Sequence, residues 1–281
     1  MENKQQAIFI EKLMNFLKYL ILAVGAFIMM FPFIWMVCTS FKTGGESIAI
    51  PPTLFPEALR WENYAHAWEV VPWLTYFRNT VFVAGMATLL TCLFTILAAY
   101  AFTVFDFKGK SIMFMLFLST MMIPSELLII QNYITVSKLG WLDTFKGIIL
   151  PTVGSGFYIF MMREYFMQVP AILYKAAKMD GCGDWKYLWK IMVPVNKNAI
   201  ATVCILNFIA HWNAFLWPMM VTNSDSKRVL SIGLLSFKSA VSSEVNMQMT
   251  GTTIVLLPMV IFYLIFRKQI ISGVSRSGIK G

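Results

Sequence analysis

The sequence predicts an all-α integral membrane protein with six transmembrane helices and both termini in the cytoplasm. Composition, run length and the placement of charge carry this expectation. Of 281 residues, 58% are hydrophobic and only 13% charged, whereas a soluble domain has about 45–50% and about 25%. So few charges cannot cover the surface of a soluble protein of this size. Apolar runs near the about 20 residues that a spanning helix needs recur at 16–38, 76–101, 111–131, 147–166, 199–221 and 247–266. With the N-terminus inside, fifteen of the 23 Lys and Arg and six of the 14 acids fall on the inner side. Outside, eight bases and eight acids cancel, so the whole net charge of +9 lies inside, as the positive-inside rule requires.

The first run follows Lys4, Lys12 and Lys18, and no small-residue cleavage site comes after it. It reads as an uncleaved helix rather than a signal peptide. Pro32 within it is tolerable where neighbouring helices satisfy freed backbone groups. The helix and the loop that follows make up residues 1–75. That outside loop, 40–75, holds Pro51, Pro52, Pro56 and Pro72. Its tryptophans, Trp61, Trp68 and Trp73, point to packing or interfacial anchoring rather than a passive linker. Residues 76–268 form a core of five spans, the fourth weakened as a helix by Gly154 and Gly156. Residues 269–281 are a cytoplasmic tail. Cys38, Cys92, Cys182 and Cys204 have no metal spacing and read as unpaired thiols, and His66 and His211 lie far apart. No metal site follows from them. The basic balance does not imply nucleic acid, because no soluble basic domain carries it.

Residues 167–198 form a long inner loop between the fourth and fifth spans. Ile172, Ala176 and Met179 repeat at helical spacing, then Gly181 and Gly183 break the chain by entering left-handed conformations. Asp184 stands where an acid favours a helix start. Trp185, Leu188, Trp189 and Met192 follow as an amphipathic stripe, and Pro194 is expected to end the second helix. By composition alone, such a basic amphipathic loop equally suits a surface lying on anionic lipid headgroups.

Ala176-Ala177, then Asp180-Gly181, then Pro194 thirteen positions on, resembles the "EAA" loop of ABC-importer permeases. Thr39-Ser40-Phe41-Lys42, Phe102 to Gly109, Trp212-Asn213, Trp217-Pro218 and Gly273 to Gly281 are similar to the maltose-transporter-like carbohydrate branch. The resemblance implies a permease subunit importing a sugar or oligosaccharide across a bacterial cytoplasmic membrane by alternating access. It implies a second homologous permease, a cytoplasmic ATPase dimer, an extracellular or periplasmic substrate-binding protein and membrane lipid as partners. The loop 167–198 would supply coupling helices that dock on the ATPase through Lys175, Ala176, Ala177, Met179, Asp180, Gly181 and Pro194. The tail would reach toward the ATPase dimer. The family usually starts this motif with glutamate, where this chain has Lys175, so that carboxylate contact does not carry over. Cys182 replaces a small alanine and Asn198 a common proline.

The chain is expected to hold no cofactor and to catalyse nothing, with ATP and magnesium on the partner. Gly109-Lys110-Ser111 imitates the end of a phosphate loop, but Val104 occupies the first glycine position. Candidates for a substrate path are Glu126, Asn207, Trp212 and Asn213, an acid, two amides and an aromatic face within apolar surroundings. Two alternatives stand beside them: Glu126 at the interface in water, and the aromatics as belt residues. No cation lies deep in a span, which favours a neutral solute. The rival function is a self-contained secondary transporter or channel, which calls for inverted repeats or midplane charges. An importer for another solute such as glycerol phosphate is the other.

Overall fold

The computed structural model describes residues 2–237 and 244–278, with side chains at 9–237 and 244–267. The end of the expected tail, Ile279 to Gly281, lies outside the described residues. Described residues are helical or irregular, with no strand among them. The chain forms two compact units: Met1–Val71 with Leu234–Pro258, and Pro72–Gly233 with Met259–Gly281.

In the first unit, α1 (Glu2–Ser40) runs through Pro32 without ending. Its side chains from Phe9 to Phe31 are exposed almost without exception and mostly apolar, the surface of a helix made for lipid. The end of α1 leaves carbonyls without helical partners, and the Thr39-Ser40-Phe41-Lys42 stretch finds them elsewhere. Asn63 Nδ2 donates to the carbonyls of Ser40 and Lys42 at 2.8 and 2.9 Å. Asn246 Nδ2 donates to Lys42 O at 3.2 Å and Thr250 Oγ1 to Ser40 O at 3.0 Å. Lys42 is buried, donates Nζ to the Thr53 carbonyl, and lies over the Trp35 ring. After it come a single turn, α2 (Gly44–Ser47), capped by Thr43, and α3 (Glu62–Val70). Trp61 meets Phe41 edge-on at 4.8 Å, so part of the outer loop does pack.

The second unit is built on α4 (Trp73–Val104), whose alternate faces are buried and exposed along its length. It continues with α5 (Lys110–Thr120) and α6 (Ile129–Lys138), bent by 90° across the Met121–Pro124 break. The run at 111–131 is therefore not one straight span: Pro124 has no N–H to continue a helix. Next, α7 (Phe145–Ile149) bends by 50° into α8 (Gly156–Met167). A Cβ on Gly156 would lie 2.6 Å from Phe117 O and 2.9 Å from Thr120 Oγ1, so this glycine lets α8 approach α5. The loop of 167–198 contains α9 (Ala171–Met179), α10 (Asp184–Tyr187) and α11 (Val193–Val195). The fifth run begins as α12 (Lys197–Trp212), stops at Asn213, and resumes as α13 (Leu216–Val221). The last helix, α14 (Val245–Gly278), passes through Pro258.

Two apolar clusters hold this unit. In one, Ile96, Ala99 and Tyr100 of α4 pack with Met162 and Phe166 of α8 and Val203 of α12. Cys92 and Cys204 belong to its α4–α12 face, with their sulfurs 3.2 Å apart. In the other, Val83, Ala87, Val136, Ile148 and Val221 pack together. Among the described residues, three helices are long and apolar enough to cross a bilayer: Phe9–Ser40, Trp73–Val104 and Val245–Arg267. The number rises to six if each of three bent pairs is a single span.

Candidate functional site

The loop of 167–198 is built by a helix stop that its sequence dictates. Gly181 has φ +73°, the left-handed region that glycine enters without a Cβ penalty. Its N–H donates to Lys178 O at 3.1 Å, and Cys182 N–H donates to Ala177 O at 2.8 Å. This is a Schellman stop, in which the two crossed bonds satisfy carbonyls that the end of α9 leaves open. Gly183 differs from expectation. Its φ of −70° and ψ of 159° are extended, and it precedes α10 as the cap residue. Asp184 opens α10 as expected, then a wide π turn over Leu188–Met192 leads into α11. Pro194 does not end the helix. It sits in the first turn of α11, where a proline loses little. The chain turns instead around Asn196, and the Asp184–Val195 and Lys197–Trp212 segments meet at 80°.

The loop has two faces. Ala177, Tyr187, Leu188 and Met192 are buried in the cluster of α4, α8 and α12. Ile172, Lys175, Ala176, Met179 and Asp180 are exposed, Ile172 at 67% and Met179 at 89%. The apolar stripe of α9 thus points away from its own chain. In the following helix, Leu188 and Met192 turn inward while Trp185 is exposed and meets Trp189 edge-on.

A polar link joins the two short helices to α4. Asp184 Oδ1 accepts from Lys178 Nζ at 2.9 Å and from the Tyr174 hydroxyl at 2.7 Å. Its backbone carbonyl accepts from the Tyr100 hydroxyl at 3.2 Å. The Lys178 ammonium, followed by the Tyr174 hydroxyl, holds the Asp184 carboxyl below its ordinary range, and Asp184 in turn raises Lys178. Sequence spacing does not reveal this link, since Lys178 and Asp184 meet across the glycine bend and outside the i, i+4 rule. Among the described residues Lys175 makes no ion pair.

The substrate-path candidates separate. Asn207 and Trp212 are buried on α12, and Asn207 Oδ1 and Trp212 Nε1 have no hydrogen-bond partner. The Trp212 ring lies against Phe77 and Phe208 at 5.8 and 5.6 Å. Asn213 is exposed at the end of α12, and Glu126 is exposed in the turn between α5 and α6. The structure does not bring these two into the interior. Thr88 and Thr91 of α4 also bury hydroxyls without partners. Their presence in an apolar run was the available signal. Among the described residues, no three His, Cys, Asp or Glu side chains cluster as a metal site.

The profile of the family described as "Binding-protein-dependent transport system inner membrane component" matches residues 92–276, which include the whole bent loop. The chain belongs to this family. As a binding-protein-dependent inner-membrane permease, it is 31% identical over 259 residues to the arabinooligosaccharide transport permease AraQ of Halalkalibacterium halodurans, covering 91% of this chain and 93% of that one. It is 32% identical over 263 residues to the lactose transport permease LacG of Rhizobium radiobacter, covering 94% and 96%. The glycerol-3-phosphate permease UgpE of Yersinia pestis is 27% identical over 263 residues, covering 91% and 94%. Among solved structures, a chain of a bacterial ABC transporter that imports alginate superposes with TM-score 0.79 at 23% identity. That match covers 92% of this permease and 96% of that chain, and shows a shared fold.

Proposed function

We propose that this permease imports a sugar or oligosaccharide across the bacterial cytoplasmic membrane by alternating access. It does so with a second permease, a cytoplasmic ATPase dimer and an external substrate-binding protein. In this reading α1, α4 and α14, the bent pairs α5–α6 and α7–α8, and α12 with α13 make six spans, both termini are cytoplasmic, and α9 to α11 form the coupling element. ATP and magnesium belong to the ATPase. The observation that carries the proposal is the two-faced loop. One face is fastened to α4, α8 and α12, while the other presents Ile172, Ala176 and Met179 outward. An apolar face left open beside a rigid bend suits docking in a cleft, and Lys175 at its edge suits an acidic rim on that cleft. Transmission then requires that the ATPase bind this face with different affinity in its two states.

The sugar assignment rests on the relatives named for arabinooligosaccharides and lactose. The relative named for glycerol 3-phosphate supports a second reading, a non-sugar solute such as glycerol phosphate. Asn207 and Trp212, buried with unsatisfied polar atoms, are the substrate-path residues this reading favours. Glu126 and Asn213, both exposed, have a weaker claim.

Gly181→Val tests the coupling element. A β-branched residue at φ +73° costs about 1–3 kcal/mol. The variant is expected to insert and assemble, and to lose transport and substrate-stimulated ATP hydrolysis together. Normal transport by an assembled variant would remove α9 to α11 from coupling.

A further inference from the structure

The outer end of α4 carries a cation without a partner. Arg78 lies in a groove of about 620 Å³ lined by Leu74, Thr75, Phe77, Val81 and Phe82, and among the described residues it makes no ion pair or hydrogen bond. Two carboxylates of this unit are already engaged. Asp143 accepts from the N–H groups of Asn223 and Ser224, and Asp225 accepts from Tyr76 and Arg228. The groove's walls are apolar and open, with Leu74 73% and Phe82 45% exposed. Below Arg78, toward the middle of the helix, Val81, Phe82 and Leu89 continue the exposed apolar strip, and Gly85 leaves open space beside it.

Depth identifies what such a cation meets. At about 1.5 Å per residue the 32 residues of α4 extend roughly 48 Å, against a hydrocarbon core of about 30 Å. Centred in the bilayer, the helix leaves the core about ten residues from its midpoint, which is at Arg78. A guanidinium there stands level with lipid phosphates, with an acyl-chain track beneath it. The planar fork of Arg pairs with phosphate oxygens through two parallel hydrogen bonds, and Thr75, one turn outward on the same face, offers a hydroxyl.

We propose that Arg78 and the groove around it bind the phosphate of an anionic phospholipid, with the acyl chain laid along Val81, Phe82 and Leu89. With the topology proposed above, this lipid belongs to the outer leaflet. The site does not depend on which solute is carried.

The test titrates a short-chain phosphatidylglycerol, or phosphatidylcholine as the neutral control, into the purified transporter and follows its thermal midpoint. Phosphatidylglycerol should raise the midpoint of the wild type beyond the control. In Arg78→Gln the half-saturating concentration should rise about tenfold, and Arg78→Lys should retain part of the effect. The Arg78→Gln protein should match the wild type in neutral lipid. Identical phosphatidylglycerol titrations for wild type and Arg78→Gln would overturn the site. A lower midpoint of Arg78→Gln in neutral lipid would also overturn it, and would assign Arg78 to a protein contact. A raised transport KM with an unchanged lipid titration would place Arg78 on the solute path instead. Loss of coupling alone, with the lipid response intact, would count against the proposed function and leave this site standing.

Discussion

Asp184 is the residue on which three side chains from two helices, α9 and α4, converge, and its charge decides how firmly the two from α9 are held. Lys178 and Asp184 are each 39% exposed, so solvent screens the pair and its contribution is small. Asp184→Asn should therefore raise the hydrogen-exchange rate of the 171–183 amides by about two- to fivefold while the protein stays folded. The pH dependence has a definite sign. A carboxyl depressed from its ordinary 3.8 contributes stability above that value and loses it as pH falls through the folded value. A lysine raised from 10.5 contributes below that value and loses it as pH rises further. The wild-type loop should hold constant protection across neutral pH and loosen below the carboxylate range and again above the lysine range, and Asp184→Asn should show no acid transition there. An identical acid limb in both proteins would place the transition elsewhere. At this scale little was legible. Asp184 was readable as a helix start, but its partners lie across a bend or on α4, where no sequence period points.

Glycine gives the clearest contrast between elements. Gly181 was readable as a stop because it follows a helical repeat, and its left-handed φ bears that out. Gly183, read the same way, is extended, since a Schellman stop needs only one left-handed residue and the next helix needs a cap. Gly156 was legible only as a weakness in the fourth apolar run. It is a contact point where α8 meets α5, and a Cβ would fall 2.6 Å from the Phe117 carbonyl. Overpacking of this kind costs about 1–3 kcal/mol, so Gly156→Ala should lower the thermal midpoint of the purified permease. Gly154, two residues away, has nothing within 4 Å of a Cβ. Gly154→Ala should leave the midpoint in place. Equal losses from both substitutions would mean that backbone freedom, not the α5–α8 approach, is what this segment needs.

For the whole molecule, apolar run length marked the helices well and their straightness badly. The first, second and last runs match α1, α4 and α14 because nothing in them ends a helix within a bundle: Pro32 and Pro258 are both absorbed. The third and fourth runs are bent at Pro124 and around Gly154, and the fifth stops at Asn213 before resuming as α13; hydropathy sums along a chain and is blind to direction. Their bent pairs can each complete a crossing or fold back into one leaflet, and only the side on which the loops emerge separates these. Charge supports the six-span arrangement proposed above: with all six runs crossing, the whole net charge of +9 falls inside. In a background without native cysteines, Arg60→Cys should react with an impermeant maleimide in intact cells, since residue 60 is exposed in the outer loop. Lys186→Cys, exposed on the 167–198 loop, should react only after the membrane is opened. If a single bent pair between them turns back instead of crossing, an odd number of crossings becomes even and both positions label from the same side. Labelling of position 186 in intact cells would therefore reject the six-span arrangement, and with it any docking of α9 on a cytoplasmic ATPase.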